Sequence, residues 1–518
     1  MTAMYLTQGL HRAVQQAPEK TATVYAGNTR SFRELADRAG RVAAVLQGLD
    51  IHAGDRVAIL AHNSDRYVEL LLGIWWAGAV AAPVNTRWSV TEMAYSLADC
   101  GPSVLVVDDT FLPLADSIRA AAAVVRRVVH IGDASRAEEV LSYEALVQSC
   151  EPVADVRRGG DELAAVLYTG GTTGFPKGVM LSHANLCGGA LTRLAEMFSP
   201  RDSVALLVTP FFHVSGLFRL VTQLVLGASN VIEAQFRPED AIDAIERHGV
   251  TDIVVVPSML QMLLDHPAFE AGRLRSLQRL SYGASPMPPA LLDRAMHALP
   301  HVGFCSSYGM TETSGVVSVL GPFTEADREE MGEVARSVGR AGLGAELRIV
   351  DPDGRDVPTG AVGEIVLRGV AVMQGYWNKP AETAAALREG WLHTGDAGWR
   401  DDAGHIYVVD RLKDMVITGG ENVYSAEVEA ALIAHPDVSA CAVIGVPSVL
   451  WGEAVHAVIV LRPGTRSSGE SLRDHCRTRL AGYKCPKSFD FVESLPLSAA
   501  GKVLKTRLRD EYLSRASA

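Results

Sequence analysis

Cysteine is scarce and scattered in this chain: seven residues, at positions 100, 150, 187, 305, 441, 476 and 485, without one C-x-x-C pair. That spacing excludes the common zinc and cluster motifs and fits a reduced, cytoplasmic protein whose thiols serve as small core residues. Dense Lys/Arg blocks are missing too. With a net charge of -12, a nucleic-acid partner is not expected. The start, Met1-Thr2-Ala3-Met4, has no charged segment followed by an apolar one, so no signal peptide is expected. The longest apolar run, Leu70 to Val84, is too short for a bilayer and is broken by Gly73, Gly78 and Pro83. It reads as a buried helix turning into a strand, and no transmembrane segment is expected. Repeats and low-complexity tracts are absent. What remains is 518 residues, 48% of them hydrophobic. That is too long for one hydrophobic core, so two or more domains follow.

Short apolar runs alternate with amphipathic stretches over the first part of the chain. Asp55 to Leu60, Ser103 to Val107, Leu163 to Leu167 and Thr251 to Val256 read as strands. Ala241 to His248 and Ser258 to Asp265 read as helices. This βαβ rhythm predicts parallel sheets covered by helices. After about residue 340 the pattern changes. Glu346 to Val350 and Glu364 to Arg368 are short strands around the turn Asp351-Pro352-Asp353-Gly354, which suits a small barrel-like sheet. From Arg411 onward, helices at Ala426 to Ala434 and Ser471 to Leu480 alternate with strands at Val438 to Val446, Val455 to Leu461 and Phe489 to Val492. The expected class is therefore α/β. A large N-terminal domain of parallel sheets with a small barrel-like part spans 1–410, and a small α+β domain spans 411–518.

The most telling segment is Tyr168-Thr169-Gly170-Gly171-Thr172-Thr173-Gly174-Phe175-Pro176-Lys177. It follows a buried-strand candidate. Its glycines let backbone N–H groups face an anion, its threonines add donors, and Lys177 adds a point charge. Such a loop suits a polyphosphate. It is not the common P-loop, because Lys177 precedes Gly178 instead of following a glycine. A flexible Gly/Thr linker is the plainer alternative.

Four constellations follow. In Ser307-Tyr308-Gly309-Met310-Thr311-Glu312-Thr313, a ring can stack on a purine, Thr311 can reach a phosphate oxygen and Glu312 can hold a hard cation. In Trp391-Leu392-His393-Thr394-Gly395-Asp396, the carboxylate can accept two ribose hydroxyls. Asp410-Arg411-Leu412-Lys413-Asp414 precedes Gly419-Gly420-Glu421-Asn422-Val423-Tyr424. Pro496-Leu497-Ser498-Ala499-Ala500-Gly501-Lys502 lies near the end. Singly, each is also explained by a polar turn, a charged linker or a solvated tail.

In this order, over about residues 10 to 510, the five segments resemble the adenylate-forming superfamily of acyl-CoA synthetases, luciferases and peptide-synthetase adenylation domains. The resemblance implies ATP, Mg2+ and coenzyme A. By that likeness Thr169, Gly170, Gly171, Thr172, Thr173, Gly174 and Lys177 wrap the phosphates. Tyr308 stacks on adenine, with Gly283, Ala284, Ser285, Ser307 and Gly309 lining the same slot. Thr311 touches the α-phosphate. Glu312 holds Mg2+, with Thr172 as a further oxygen ligand. Asp396 and Arg411 bind ribose, and Lys502 is the catalytic lysine of a mobile C-terminal domain hinged near Lys413. Gly419, Gly420, Glu421 and Asn422 line the coenzyme A side. His213 stands next to the acyl carboxylate, although a packed core histidine is the plainer alternative. Val214, Ser215, Gly216, Ser314, Gly315 and Val316 surround the acyl group. A homodimer, common in that family, is the assembly the resemblance allows.

Two positions depart from the family pattern: Gly170 stands where serine is frequent, and Ser425 where proline is frequent. The implied chemistry is attack of a carboxylate on the α-phosphorus of ATP, release of pyrophosphate, then transfer of the acyl group to the coenzyme A thiol. Few residues follow Lys502, so a fused carrier domain is not expected. A free-standing enzyme loading a separate carrier protein is an alternative, and a non-catalytic nucleotide sensor is a further one. The segments His213 to Phe218 and Thr313 to Val317 carry no charged side chain. On that basis the expected substrate is an apolar monocarboxylic acid, aliphatic or alicyclic and medium- or long-chain, with aryl acids such as benzoates or hydroxycinnamates as the alternative. Gly216→Ile is expected to shorten the preferred acid.

Overall fold

Two parallel-stranded sheets, each built by βαβ crossovers, carry most of the chain in this computed structural model, which describes residues 4–135, 137–169, 176–497 and 503–516. The chain divides into two compact units: Met1–Glu346 with Arg368–Leu392, and Leu347–Leu367 with His393–Ala518.

The first unit holds an eight-stranded and a nine-stranded sheet. In the eight-stranded sheet, Val57 to Leu60 pairs in parallel with Val104 to Val107, and both strands are buried. Buried on both faces, such strands read as near-continuous aliphatic runs. The run from Leu70 to Val84 is the end of helix Asp65–Trp76 followed by strand Val80–Pro83, as its glycines and proline imply.

The nine-stranded sheet contains Val204–Leu207, Asp252–Val255, Arg279–Gly283 and Gly303–Tyr308 side by side and parallel. Side chains alternate between its faces. Ile253, Val255, Leu280, Tyr282 and Phe304 point into one apolar core with helices Pro238–His248, Pro257–Asp265 and Pro289–Ala298. Helix Pro238–His248 starts on a proline at its first turn and stops at Gly249 in a left-handed conformation. The other face of the sheet carries Asp252, Arg279, Ser281, Gly283, Cys305 and Ser307. Helices His183–Met197 and Val214–Leu226 reach that face, through Arg193 to Ser281 and Arg219 to Asp252.

Strands Ala345–Val350, Gly363–Gly369, Trp391–Arg400 and Ile406–Arg411, most of whose residues belong to the second unit, form the small half-barrel sheet. A second sheet is built on the long antiparallel pair Val438–Ser448 and Gly452–Leu461, with Ser488–Phe491 parallel to the latter. Helices Ser425–Ile433 and Gly469–Arg477 cover it over a core of Val428, Leu432, Val443, Ala457, Ile459 and Leu472. The class is thus α/β with a large parallel-sheet part, a half-barrel sheet and a small α+β part. No helix among the described residues is long and apolar enough to cross a membrane.

Candidate active site

The Gly/Thr loop is anchored at both ends. Strand Leu163–Thr169 pairs antiparallel with Lys177–Ser182, and Thr169 lies opposite Lys177, its Oγ1 3.5 Å from the Lys177 carbonyl. Gly170, Gly171, Thr172, Thr173 and Gly174 lie outside the described residues. The mouth of the loop is therefore held in register by a ladder.

A short strand, Gly375–Tyr376, adds to the edge of Lys177–Ser182, with Tyr376 opposite Val179. This brings Tyr376 to two groups from separate segments. Its hydroxyl donates to Glu312 Oε1 at 2.9 Å, and Lys177 Nζ stands 5.1 Å from its ring centroid. Cation, ring and carboxylate thus stand in sequence. Glu312 is only 8% exposed, and an ionised carboxylate at such burial needs donors. The sequence analysis missed Tyr376. Its local signal is only a glycine–aromatic pair, Gly375-Tyr376, followed by Trp377.

Thr311, Glu312 and Thr313 form one short 3₁₀ turn after strand Gly303–Tyr308. Thr313 Oγ1 accepts from Met310 N–H at 2.9 Å and ties the turn shut. A side chain at Gly309 would put its Cβ 1.6 Å from the Gly315 carbonyl oxygen, so the turn closes this tightly only with glycine there. Gly283 sits opposite Ser307 at the ends of neighbouring strands. Ala284 follows with a φ of 67°, a strained value for a residue with a side chain. Ser285 continues the same bend, and Tyr308 lies opposite Ser318. Ser307 Oγ is buried with no partner among the described residues.

His213 caps helix Val214–Leu226. Its Nδ1 accepts from Ser215 N–H at 3.3 Å and lies 2.9 Å from Ser215 Oγ. That fixes the ring at the helix start. Val214 is buried, whereas Ser215 and Val316 are partly exposed. Gly216 faces backbone: a Cβ there would lie 2.2 Å from the Pro210 carbonyl oxygen and 2.6 Å from that of Thr209. Its smallness is required by packing of the helix against the loop after strand Val204–Leu207. Ser314 Oγ donates to the Ala371 carbonyl at 2.8 Å, and Gly315 lies on the face of the Phe218 ring.

In the second unit, Asp396 and Arg411 stand opposite each other on paired strands and form a 2.7 Å ion pair. Asp396 N–H donates to Thr394 Oγ1, whose hydroxyl donates to the Ile365 carbonyl at 2.6 Å. Lys413 is exposed in the short turn Leu412–Asp414. Gly419 and Gly420 make the tight hairpin between strands Val416–Thr418 and Glu421–Val423, with Glu421 and Asn422 exposed. Lys502 lies outside the described residues.

Ser425, the position that departs from the family pattern, is a junction. Its hydroxyl donates to Asp410 Oδ2 at 2.6 Å and accepts from Lys505 Nζ at 2.5 Å. Lys505 also pairs with Glu429 at 2.7 Å. Burial works against charge on Lys505, but Glu429 and Asp410 outweigh it and raise its pKa. A proline could make neither hydroxyl bond.

One nearly buried carboxylate, Glu312, beside the Tyr376 hydroxyl fits a hard cation that takes its remaining ligands from phosphate and water. The model of the AMP-binding enzyme family matches residues 10–377, and that of the AMP-binding enzyme C-terminal domain matches residues 427–502. The chain belongs to this family of adenylate-forming enzymes. Within it, the chain is an AMP-forming acid–thiol ligase that works with ATP, Mg2+ and coenzyme A. It is 39% identical over 502 residues to a feruloyl-CoA synthase of Amycolatopsis sp, covering 97% of this chain and 98% of that one. It is 35% identical over 503 residues to the fatty acid–[acyl-carrier-protein] ligase ScoC of Streptomyces coeruleorubidus, covering 96% of this chain and 94% of that one. Among solved structures, the anthranilate CoA ligase AuaEII in complex with anthranoyl-AMP matches with a TM-score of 0.92 at 28% identity, covering 100% of this chain and 99% of that one.

Proposed function

We propose that this ligase activates a compact carboxylic acid, aromatic or alicyclic, in preference to a long alkyl chain, and transfers it to the thiol of coenzyme A. One observation carries the choice of acid. The sheet face under helices His183–Met197 and Val214–Leu226 runs from Gly283 and Ser307 to the buried side chains Arg193, Arg219, Asp252 and Arg279. A long alkyl tail laid along that face would meet guanidinium groups without satisfying them, at a cost of several kcal/mol. A feruloyl and an anthranilate ligase among the relatives support the aromatic reading, while the fatty-acid ligase relative keeps a medium-length aliphatic acid as the alternative.

The residues take the following parts in this reading. His213 and Ser215 stand at the carboxylate of the acid. Lys177 and Thr169 hold the ends of the phosphate loop formed by Gly170 to Gly174. Tyr308, Gly283, Ala284 and Ser285 flank the adenine. Thr311 donates to the α-phosphate, and Asp396 with Arg411 orients the ribose. Glu312, kept in place by Tyr376, would hold Mg2+, whose charge offsets that of the polyphosphate. The acid oxygen attacks the α-phosphorus and pyrophosphate leaves with its electron pair. Lys502 stabilises the negative charge that grows on the phosphoryl oxygens, an electrostatic role. The thiol, as thiolate, then attacks the acyl carbon and AMP leaves. The part after Arg411 turns about Lys413 between the two steps, and Gly419 to Asn422 then line the thiol path.

A panel of benzoates, cinnamates, octanoate and palmitate, read by pyrophosphate release and by the mass of the acyl-CoA, tests the proposal. Activation of benzoates or cinnamates with little activity on palmitate is expected. Palmitate as the best substrate overturns it.

A further inference from the structure

We propose that Arg193, Arg219 and Gln223 form a receptor for an oxygen acceptor at the far end of the acid, a second carboxylate above all. This rests on the reading above that the acid lies along this sheet face. The face opposite is mostly apolar, with Ile253, Val255, Leu280, Tyr282 and Phe304 in one hydrophobic core and Ser306 beside Tyr282. The receptor face alternates in register with it and carries Gly283, Ser281 and Arg279 down one strand, and Ser307 and Cys305 down the next. Small and polar side chains therefore form a column from the strand ends to a cluster of charge.

That cluster is buried and unbalanced. Arg193 and Arg219 are each 2% exposed and Gln223 is 0% exposed. Asp252 is the carboxylate shared here: Arg219 Nη2 lies 2.6 Å from its Oδ1 and Arg279 Nε 3.3 Å from its Oδ2. Arg193 reaches neither oxygen and instead donates to Ser281 Oγ at 3.1 Å. Three guanidinium groups thus face one carboxylate. Arg193 Nε, Arg219 Nε and Nη1, Arg279 Nη2 and both amide atoms of Gln223 have no hydrogen-bond partner among the described residues. Burial, and then the neighbouring Arg219, bring the Arg193 pKa down to about 10, so it stays a cation at neutral pH. A buried polar group is ordinarily satisfied. Here unsatisfied donors from two helices point at the same sheet face.

Position sets the length of the acid. Arg193 is tied to Ser281, two residues below Gly283 and so roughly 7 Å along the strand. An acid with its reacting carboxylate at the strand end by Gly283 and Ser307 would bring an acceptor to Arg193 if its ends were separated as in suberate or 4-carboxycinnamate. Guanidinium groups match carboxylates in planar, two-bond geometry, which makes the second carboxylate the strongest candidate. Sites built to bond a polar group reject analogues lacking it far more strongly than apolar pockets reject a missing methylene.

The test compares matched pairs on the full-length enzyme: suberate against octanoate, and 4-carboxycinnamate against cinnamate. The readout is kcat/KM for pyrophosphate release. The dicarboxylate is expected to be favoured at least about tenfold in one of the pairs, the scale of a bond to a charged group. Arg193→Met should remove that preference, mainly through KM, with Gln223→Leu weakening it. Arg219→Met takes away the 2.6 Å partner of buried Asp252, leaves only Arg279 at 3.3 Å, and is prone to misfold, so Arg193→Met is the deciding variant. Equal or better use of the monocarboxylates by the native enzyme overturns the proposal. So does an Arg193→Met variant that loses thermal stability while the ratio stays unchanged, since that is the signature of a purely structural cluster. No pyrophosphate release with any acid would instead sink the ligase reading beneath it.

Discussion

Tyr376→Phe removes one oxygen and little else. The ring remains 5.1 Å from Lys177 Nζ, and the phenyl group fills the same space. What goes is the 2.9 Å bond donated to Glu312 Oε1. A hydrogen bond to a charged group contributes about 1.5–3 kcal/mol, and leaving a buried acceptor unpaired adds to that loss. At 1.4 kcal/mol per factor of ten, adenylation should fall about ten- to hundredfold at limiting Mg2+. If Tyr376 acts by holding the carboxylate for the cation, higher Mg2+ should recover part of the loss. The assay is initial pyrophosphate release at saturating ATP and acid across a Mg2+ series, with thermal unfolding as the check on folding. Tyr376→Leu also removes the ring under Lys177. It should cost about 0.5–1 kcal/mol more, the scale of an exposed cation–π contact. A Phe variant with native rates at every Mg2+ concentration refutes the pairing as functional. Equal losses in the Phe and Leu variants refute the part assigned to the ring.

Lys502→Ala should lower adenylation by about 10²–10³, the scale of one preorganised donor, yet still turn a supplied acyl-adenylate and coenzyme A into thioester; equal loss of both half-reactions removes its assigned role. Gly216→Ile should destabilise the protein by about 1–3 kcal/mol through overpacking, because its Cβ meets the Pro210 carbonyl at 2.2 Å. A shortened acid preference at unchanged melting temperature would restore the sequence-based expectation for that site. His183 accepts from Leu6 N–H at 3.2 Å, and burial, then Arg158, lower its pKa to about 4. The fold therefore holds it neutral, so its contribution is complete above about pH 6.5 and is lost as pH falls towards 4, up to about 3 kcal/mol. Denaturant unfolding across that window should show the loss, and His183→Gln should flatten it; an unchanged slope refutes the assignment.

Local signals were legible. Helix Pro238–His248 announces itself by Pro238 and Gly249, and the strand expected at Thr251 to Val256 is observed at Asp252–Val255. The adenylate-forming motifs are contiguous, so their residue types and order carried the family. Side chains brought together from distant segments were not legible. Tyr376 meets Glu312 through a two-residue strand added to a sheet edge, and no spacing in the sequence encodes that. Arg193, Arg219, Asp252 and Arg279 each stand alone in a different helix or strand, flanked by residues of ordinary type. Only the sheet register converts them into one cluster. Ser425 was visible as a departure, but its two partners lie 15 and 80 residues away.

The chain leaves the first unit after Glu346, returns at Arg368, and leaves again after Leu392. Thr394 bonds back to Ile365, and His393 pairs with Glu364 at 2.8 Å. The earlier strand therefore waits during synthesis for a partner made only after residues 368–392 have left the ribosome. Until then its backbone donors and acceptors are an open edge, a form prone to wrong pairing. A fragment starting at 411 would lack that strand and its neighbour altogether. A single proteolytic nick within 347–367 or 368–392 would still leave another covalent tie between the units. Handling the enzyme in pieces, for expression or for labelling, thus calls for cuts that respect this back-and-forth course of the chain.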